Sequence, residues 1–107
     1  MSSRREIRLA EELAHLAADF FARESNAQSL ITVTRAEISP NLKNVTVFLS
    51  VLPEEKESSA IAFAKRVRTD FREYVKKHSA LGHAPTMDFE LDYGEKNRQR
   101  IDDLTRR

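Results

Sequence analysis

Apolar residues between Ser3 and Glu24 recur at helical spacing: Leu9, Leu13, Leu16 and Phe20 follow one another at four, three and four residues. They form one stripe of a helix with 3.6 residues per turn. Ser3 and Glu6 match a capping box, in which each side chain satisfies a backbone N–H of the first turn, and the polar run ESNAQS ends the segment. The period then changes to two. Val45, Val47, Leu49 and Val51 alternate with Thr46, Phe48 and Ser50, which predicts a strand with one aliphatic and one mixed face. In the run before it, Ile31 and Val33 share one parity while Ala36 and Ile38 share the other, so a β-bulge is expected near Arg35. Pro40 and Asn41 in the link SPNLKN supply a turn, which makes the two strands an antiparallel hairpin.

Helical spacing returns with Ala60, Ala64, Val67, Phe71, Tyr74 and Val75. Its start is signed by Pro53, Glu54 and Glu55, since proline fits the first helical position and carboxylates favour the positive end of the helix dipole; a loop as far as Ser58 serves equally well. It should stop near Ser79 to Leu81, with Gly82 free to turn left-handed and Pro85 barring continuation. Met87, Phe89, Leu91 and Tyr93 then alternate with Asp88, Glu90 and Asp92, a third, half-buried strand. After Gly94 only Ile101 and Leu104 offer apolar surface, which predicts a weak terminal helix or tail over 94–107. The order α-β-β-α-β implies an α+β fold: a three-stranded mixed sheet with helices packed on one face. The second and third strands should run parallel through a right-handed crossover.

The chain has 107 residues, 33% of them charged and 40% hydrophobic. That suits a single folded domain over 1–107 with one core. No cysteine is present, which excludes disulfides and thiolate zinc sites. No apolar run reads as a signal peptide or a membrane span, so a cytoplasmic, non-membrane protein is expected.

The formal net charge is only +1, yet its distribution is uneven. Lys65, Arg66, Arg68, Arg72, Lys76 and Lys77 crowd one helix against Asp70 and Glu73, an electrostatic footprint suited to nucleic acid; the bland alternative is a solvated helix face. Arg4, Arg5 and Arg8 are further candidates, although Glu6, Glu11 and Glu12 lie among them, and Lys43 stands in the hairpin turn. No tryptophan, aromatic run or Gly-x-x-Gly clamp is present, so RNA contact would rest on shape and charge rather than on stacking, and Phe48 reads as packing. Asp88, Glu90 and Asp92 form an acidic row that reads as the water side of a strand and should repel RNA, leaving another side to dock. His15, His78 and His83 lack metal-ligand spacing. No metal, cofactor or catalytic residue is predicted.

The stretch ITVTRAEISPNLKNVTVFLSVL resembles the hairpin of the bacterial ribosome-binding factor A family, whose pattern is T-V-x-x-V-E-x-S-x-D-L-x-x-A-x-V-Y-x-S. Thr32, Val33, Glu37, Ser39, Leu42, Val47 and Ser50 match it, and Ala36, Asn41, Val45 and Phe48 are close replacements. The resemblance continues through Phe71, Arg72, Pro85, Phe89 and Asp92 to the closing RIDDL. The family usually marks a kink in its long helix with Ala-x-Gly, where this chain has Val67, Arg68 and Thr69. Either the helix runs straighter here or the break is made another way. The resemblance implies a KH-like (type II) domain without catalysis. It also implies a monomeric assembly factor that binds free, immature 30S small subunits and their 16S rRNA, assists late processing of that RNA, with a role in the cold, and leaves. A KH-like protein-interaction module without direct RNA binding is the alternative.

Overall fold

In the computed structural model, which describes residues 4–24, 29–79, 84–94 and 98, the hairpin is the centre of the fold. Strand β1, Leu30–Ile38, pairs antiparallel with β2, Asn44–Leu52, from Leu30 opposite Leu52 to Ile38 opposite Val45. The register shifts between Val33 and Arg35, so Thr34 is the extra residue of a bulge. The bulge reconciles the two parities: Ile31, Val33, Ala36 and Ile38 all end up half-buried against the core. At the tip, Leu42 N–H donates to Ser39 O (2.8 Å) and Ser39 N–H to Asn44 O (2.9 Å), while Leu42 takes φ 61°. A left-handed leucine is uncommon. The turn is held by side chains as well, with Lys43 N–H donating to the Asn41 side-chain oxygen at 3.0 Å.

Strand β3, Thr86–Leu91, runs parallel to β2, with Asn44 opposite Thr86 and Leu49 opposite Leu91, giving the sheet order β1-β2-β3. Helix α1, Arg4–Glu24, packs over β1, and α2, Glu57–Arg66, and α3, Arg68–His78, pack against β3. Between sheet and helices lie Leu13, Ala17, Phe21, Val47, Leu49, Ala64, Phe71, Val75 and Phe89, all buried. Phe89 of β3 stands edge-on to Phe21 of α1 (5.0 Å between centroids) and tilted against Phe71 of α3 (5.5 Å). One aromatic cluster therefore ties helices α1 and α3 to the edge strand.

Two expectations are corrected and one open choice is decided. Pro53 is not the first helical residue: it is extended (φ −72°, ψ 162°), a 3₁₀ turn covers Glu54–Lys56, and α2 begins at Glu57, close to the later start that served equally well. Of the two courses open to the long helix the break is the one taken, which makes it two helices. Val67 adopts φ −97°, ψ 11°, and its N–H is shared between Phe63 O (3.1 Å) and Ala64 O (3.2 Å) before Phe71 N–H to Val67 O (2.9 Å) opens the next helix. That conformation is accessible to any L residue, so the break forms without glycine. The third strand ends at Leu91, and Tyr93 is exposed. The Ser3 cap, the Gly82 stop and nearly all of the terminal segment after Gly94 lie outside the described residues.

Candidate nucleic-acid interface

The basic residues of the helices do not share one face. Lys65, Arg68, Arg72 and Lys76 follow at intervals of three, four and four and make one row, whereas Arg66 and Lys77 each lie about 100° round the helix from a member of it. The row lies along β3 at its Lys65, Arg68 and Arg72 positions. Lys65 Nζ reaches Asp88 Oδ1 at 2.9 Å, and Arg68 Nη1 approaches the same oxygen at 3.5 Å. Arg72 donates from Nε (3.3 Å) and Nη2 (3.0 Å) to the carbonyl of Ala84, just before the strand. At the strand's start Thr86 N–H donates to Lys43 O at 2.8 Å. Arg72, Arg68 and Lys65 thus follow β3 from just before its start to its middle and form a basic rim along the edge of the sheet, while Lys43, exposed at the hairpin tip, meets the start of β3 through its backbone carbonyl.

The other candidates lie apart. Arg66 sits beside Ser29, Ile31 and Phe63 at the start of β1. Lys77 lies with Phe20, Arg23, Tyr74 and His78 where α3 meets α1. Lys76 pairs with Glu73 at 3.2 Å. Arg4, Arg5 and Arg8 flank Leu9 and Glu12 at the start of α1, and Arg8 is roughly 18 Å along that helix from Phe20, at 1.5 Å per residue.

The acidic row is also divided, which corrects the expectation of one row on the water side of the strand. Glu90 is exposed. Asp88 lies among the bases, and its Oδ1 also accepts the N–H of Phe89 at 2.9 Å. Partial burial alone would push its carboxyl up; the Lys65 hydrogen bond, the Phe89 N–H and the charges of Lys65 and Arg68 outweigh that and hold it below its ordinary value. Asp92 is buried, not on the water side. Its Oδ2 accepts the Thr34 hydroxyl at 2.6 Å and lies 3.4 Å from Arg35 Nε, and its N–H donates to Leu49 O at 2.8 Å. Arg35 in turn pairs with Glu37 and lies 3.9 Å over the ring of Phe48, so Phe48 packs under a guanidinium. Thr34 and Asp92 are 58 residues apart, and only the bulge, legible as a parity shift, hinted at this junction. Among the described residues no cluster suits a metal ion, and no helix is long and apolar enough to cross a membrane.

Comparison with known proteins accords with this architecture. Ribosome-binding factor A of Anaeromyxobacter sp. is 34% identical over 94% of this chain and 85% of its own length, and that of Thermomicrobium roseum is 32% identical over 99% and 84%. The crystal structure of ribosome-binding factor A from Thermus thermophilus superposes with a TM-score of 0.73 at 16% identity, covering 80% of this chain and 94% of that one. A homology model of the Thermus thermophilus factor, fitted into a cryo-electron-microscopy map of a 30S complex, gives a TM-score of 0.70 at 16% identity, covering 79% and 92%. These structures share the KH-like α+β fold. The family model for ribosome-binding factor A matches residues 5–105, and the chain belongs to that family.

Proposed function

We propose that this protein is a non-catalytic assembly factor that acts in the cytoplasm as a monomer, binds the immature small ribosomal subunit through its 16S rRNA, and assists late processing of that RNA. The match to the family over nearly the whole chain carries the reading; the Thermus factor fitted to a 30S complex supports the choice of subunit. The basic rim formed by Arg72, Arg68 and Lys65, with exposed Lys43 at the nearby hairpin tip, supplies the chemistry, because lysine and arginine along an edge position a protein on phosphates without reading bases. Arg72 acts there mainly as a brace, since both of its hydrogen bonds go to the Ala84 carbonyl.

Sedimentation of cell extract with detection of the protein tests the reading. Co-migration with free small subunits, and not with translating ribosomes, is expected; a protein confined to the top of the gradient overturns it. Retention on subunits without any affinity for the isolated 16S rRNA would instead favour a protein contact.

A further inference from the structure

We propose that Asp88 is a built-in competitor for RNA phosphate: its Oδ1 occupies the place where a phosphate oxygen would be gripped between Lys65 and Arg68, and RNA binds there by displacing it. The inference rests on the reading that the β3 rim meets RNA. Lys65 and Arg68 stand on either side of the break at Val67 and converge on one oxygen atom, at 2.9 and 3.5 Å. A phosphate oxygen accepts from ammonium and guanidinium in the same geometry. The grip on Asp88 is incomplete: Arg68 at 3.5 Å is an ionic contact rather than a hydrogen bond, and its guanidinium fork carries five donors. All three side chains are about half-exposed (42%, 50% and 40%), so water can enter as the carboxylate leaves.

The backbone break fixes where Lys65 and Arg68 start, and Phe89 N–H holds the carboxylate oxygen from its own strand. What Asp88 supplies is a negative charge that each phosphate must replace. A base still paired with it neutralises less phosphate charge, so fewer of the counterions condensed on the RNA are released, and affinity and its salt dependence both fall. A factor that must leave its subunit is served by such a limit.

Binding of the full chain to transcribed 16S rRNA across a salt series, with wild type, Asp88→Asn, Glu90→Gln and Lys65→Gln/Arg68→Gln, tests this. Asparagine keeps an oxygen for Phe89 N–H, and Asp88→Ser is the second variant should Asp88→Asn melt early. Asp88→Asn should bind about 3- to 10-fold tighter at low salt, with a log–log salt slope steeper by roughly 0.7 to 0.9 for each further phosphate neutralised. The gain should vanish in the Lys65→Gln/Arg68→Gln background, and Glu90→Gln, which removes a like charge two residues on, should give much less. Unchanged or weaker binding by Asp88→Asn, an equal gain from Glu90→Gln, or a gain that persists without Lys65 and Arg68 overturns the proposal while leaving RNA binding intact. If the wild type itself binds no rRNA, the RNA reading fails, and this one with it.

Discussion

The two faces of the hairpin are held in different ways. On one, Val45, Val47 and Leu49 share a core with Leu13, Phe21, Phe71 and Phe89, all buried and all apolar. On the other, Thr34, Arg35, Phe48 and Asp92 meet through one hydroxyl–carboxylate hydrogen bond, one ion pair and one stacked guanidinium. The first face draws its stability from the sum of many contacts with no required direction. The second depends on a few groups whose geometry must be right, because a buried carboxylate is tolerated only while its partners stay in place. Truncation should therefore be graded on the first face by volume removed, and on the second by which partner is left behind.

The largest effect is expected where the aromatic cluster joins three elements. Phe71→Ala or Phe89→Ala should cost about 3–5 kcal/mol in denaturant unfolding, through lost burial and the cavity left between α1, α3 and β3. On the opposite face, Asp92→Ala should cost about 1–2 kcal/mol, since it removes the nearer acceptor of the Thr34 hydroxyl, leaving the Phe48 carbonyl at 3.2 Å, and one of the two carboxylates beside Arg35, leaving Glu37. Asp92→Asn should cost less, because its side-chain oxygen still accepts from Thr34. A double-mutant cycle between Thr34→Val and Asp92→Ala should show coupling. An Asp92→Ala loss as large as that of Phe89→Ala would break the distinction between the faces.

The same contrast explains what was legible in the sequence. Strand β2 could be read because each of its side chains obeys a period of two, and the bulge could be read because a parity shift has few other causes. Even on the apolar side two residues escaped: Ala17 and Phe21 lie at intervals of four after Leu13 and are buried, whereas the stripe assigned to α1 was Leu9, Leu13, Leu16 and Phe20. The break at Val67 was invisible in composition because it uses a backbone conformation that asks for no special residue. The basic residues were identifiable as a set but not as a surface. Whether a lysine faces β3 or β1 depends on helix phase and on a strand more than 20 residues further on, such as Asp88 for Lys65. The acidic row misled for the same reason: alternation gives the side of the strand, not the partners that bend a carboxylate toward a helix or bury it.

Two arginines four residues apart sharpen the point within a single helix. Arg72 gives two hydrogen bonds to the Ala84 carbonyl, while Arg68, among the described residues, makes the 3.5 Å contact with Asp88 and no hydrogen bond. Arg72→Leu should lower stability by about 1–2 kcal/mol, and Arg68→Leu by less than about 0.5 kcal/mol. For RNA binding the order should reverse, with Arg68→Leu giving the greater loss of affinity for 16S rRNA. Equal stability losses would mean that the chain before β3 is held without Arg72.

The smallest effect is expected at Asp88, in acid titration. Asp88 is held below its ordinary carboxyl value of 3.8 by Lys65, Phe89 N–H and Arg68, against the opposing effect of partial burial. A carboxyl whose folded value is depressed binds its proton more readily in the unfolded chain, so stability falls as the unfolded chain takes it up. The contribution of Asp88 is thus fully present above its ordinary value and is lost as pH falls through the lower, folded value. Measured against Asp88→Asn, the wild type should hold a steady advantage from neutral pH down to about the ordinary carboxyl value, and the gap should close below it. Because the pair is half-exposed, the gap should stay under about 1 kcal/mol and shrink as salt is raised. A gap that widened in acid would mean that Lys65 and Arg68 do not hold the carboxylate in solution. A small gap that closes in acid fits a contact strong enough to be occupied and weak enough for a phosphate to replace.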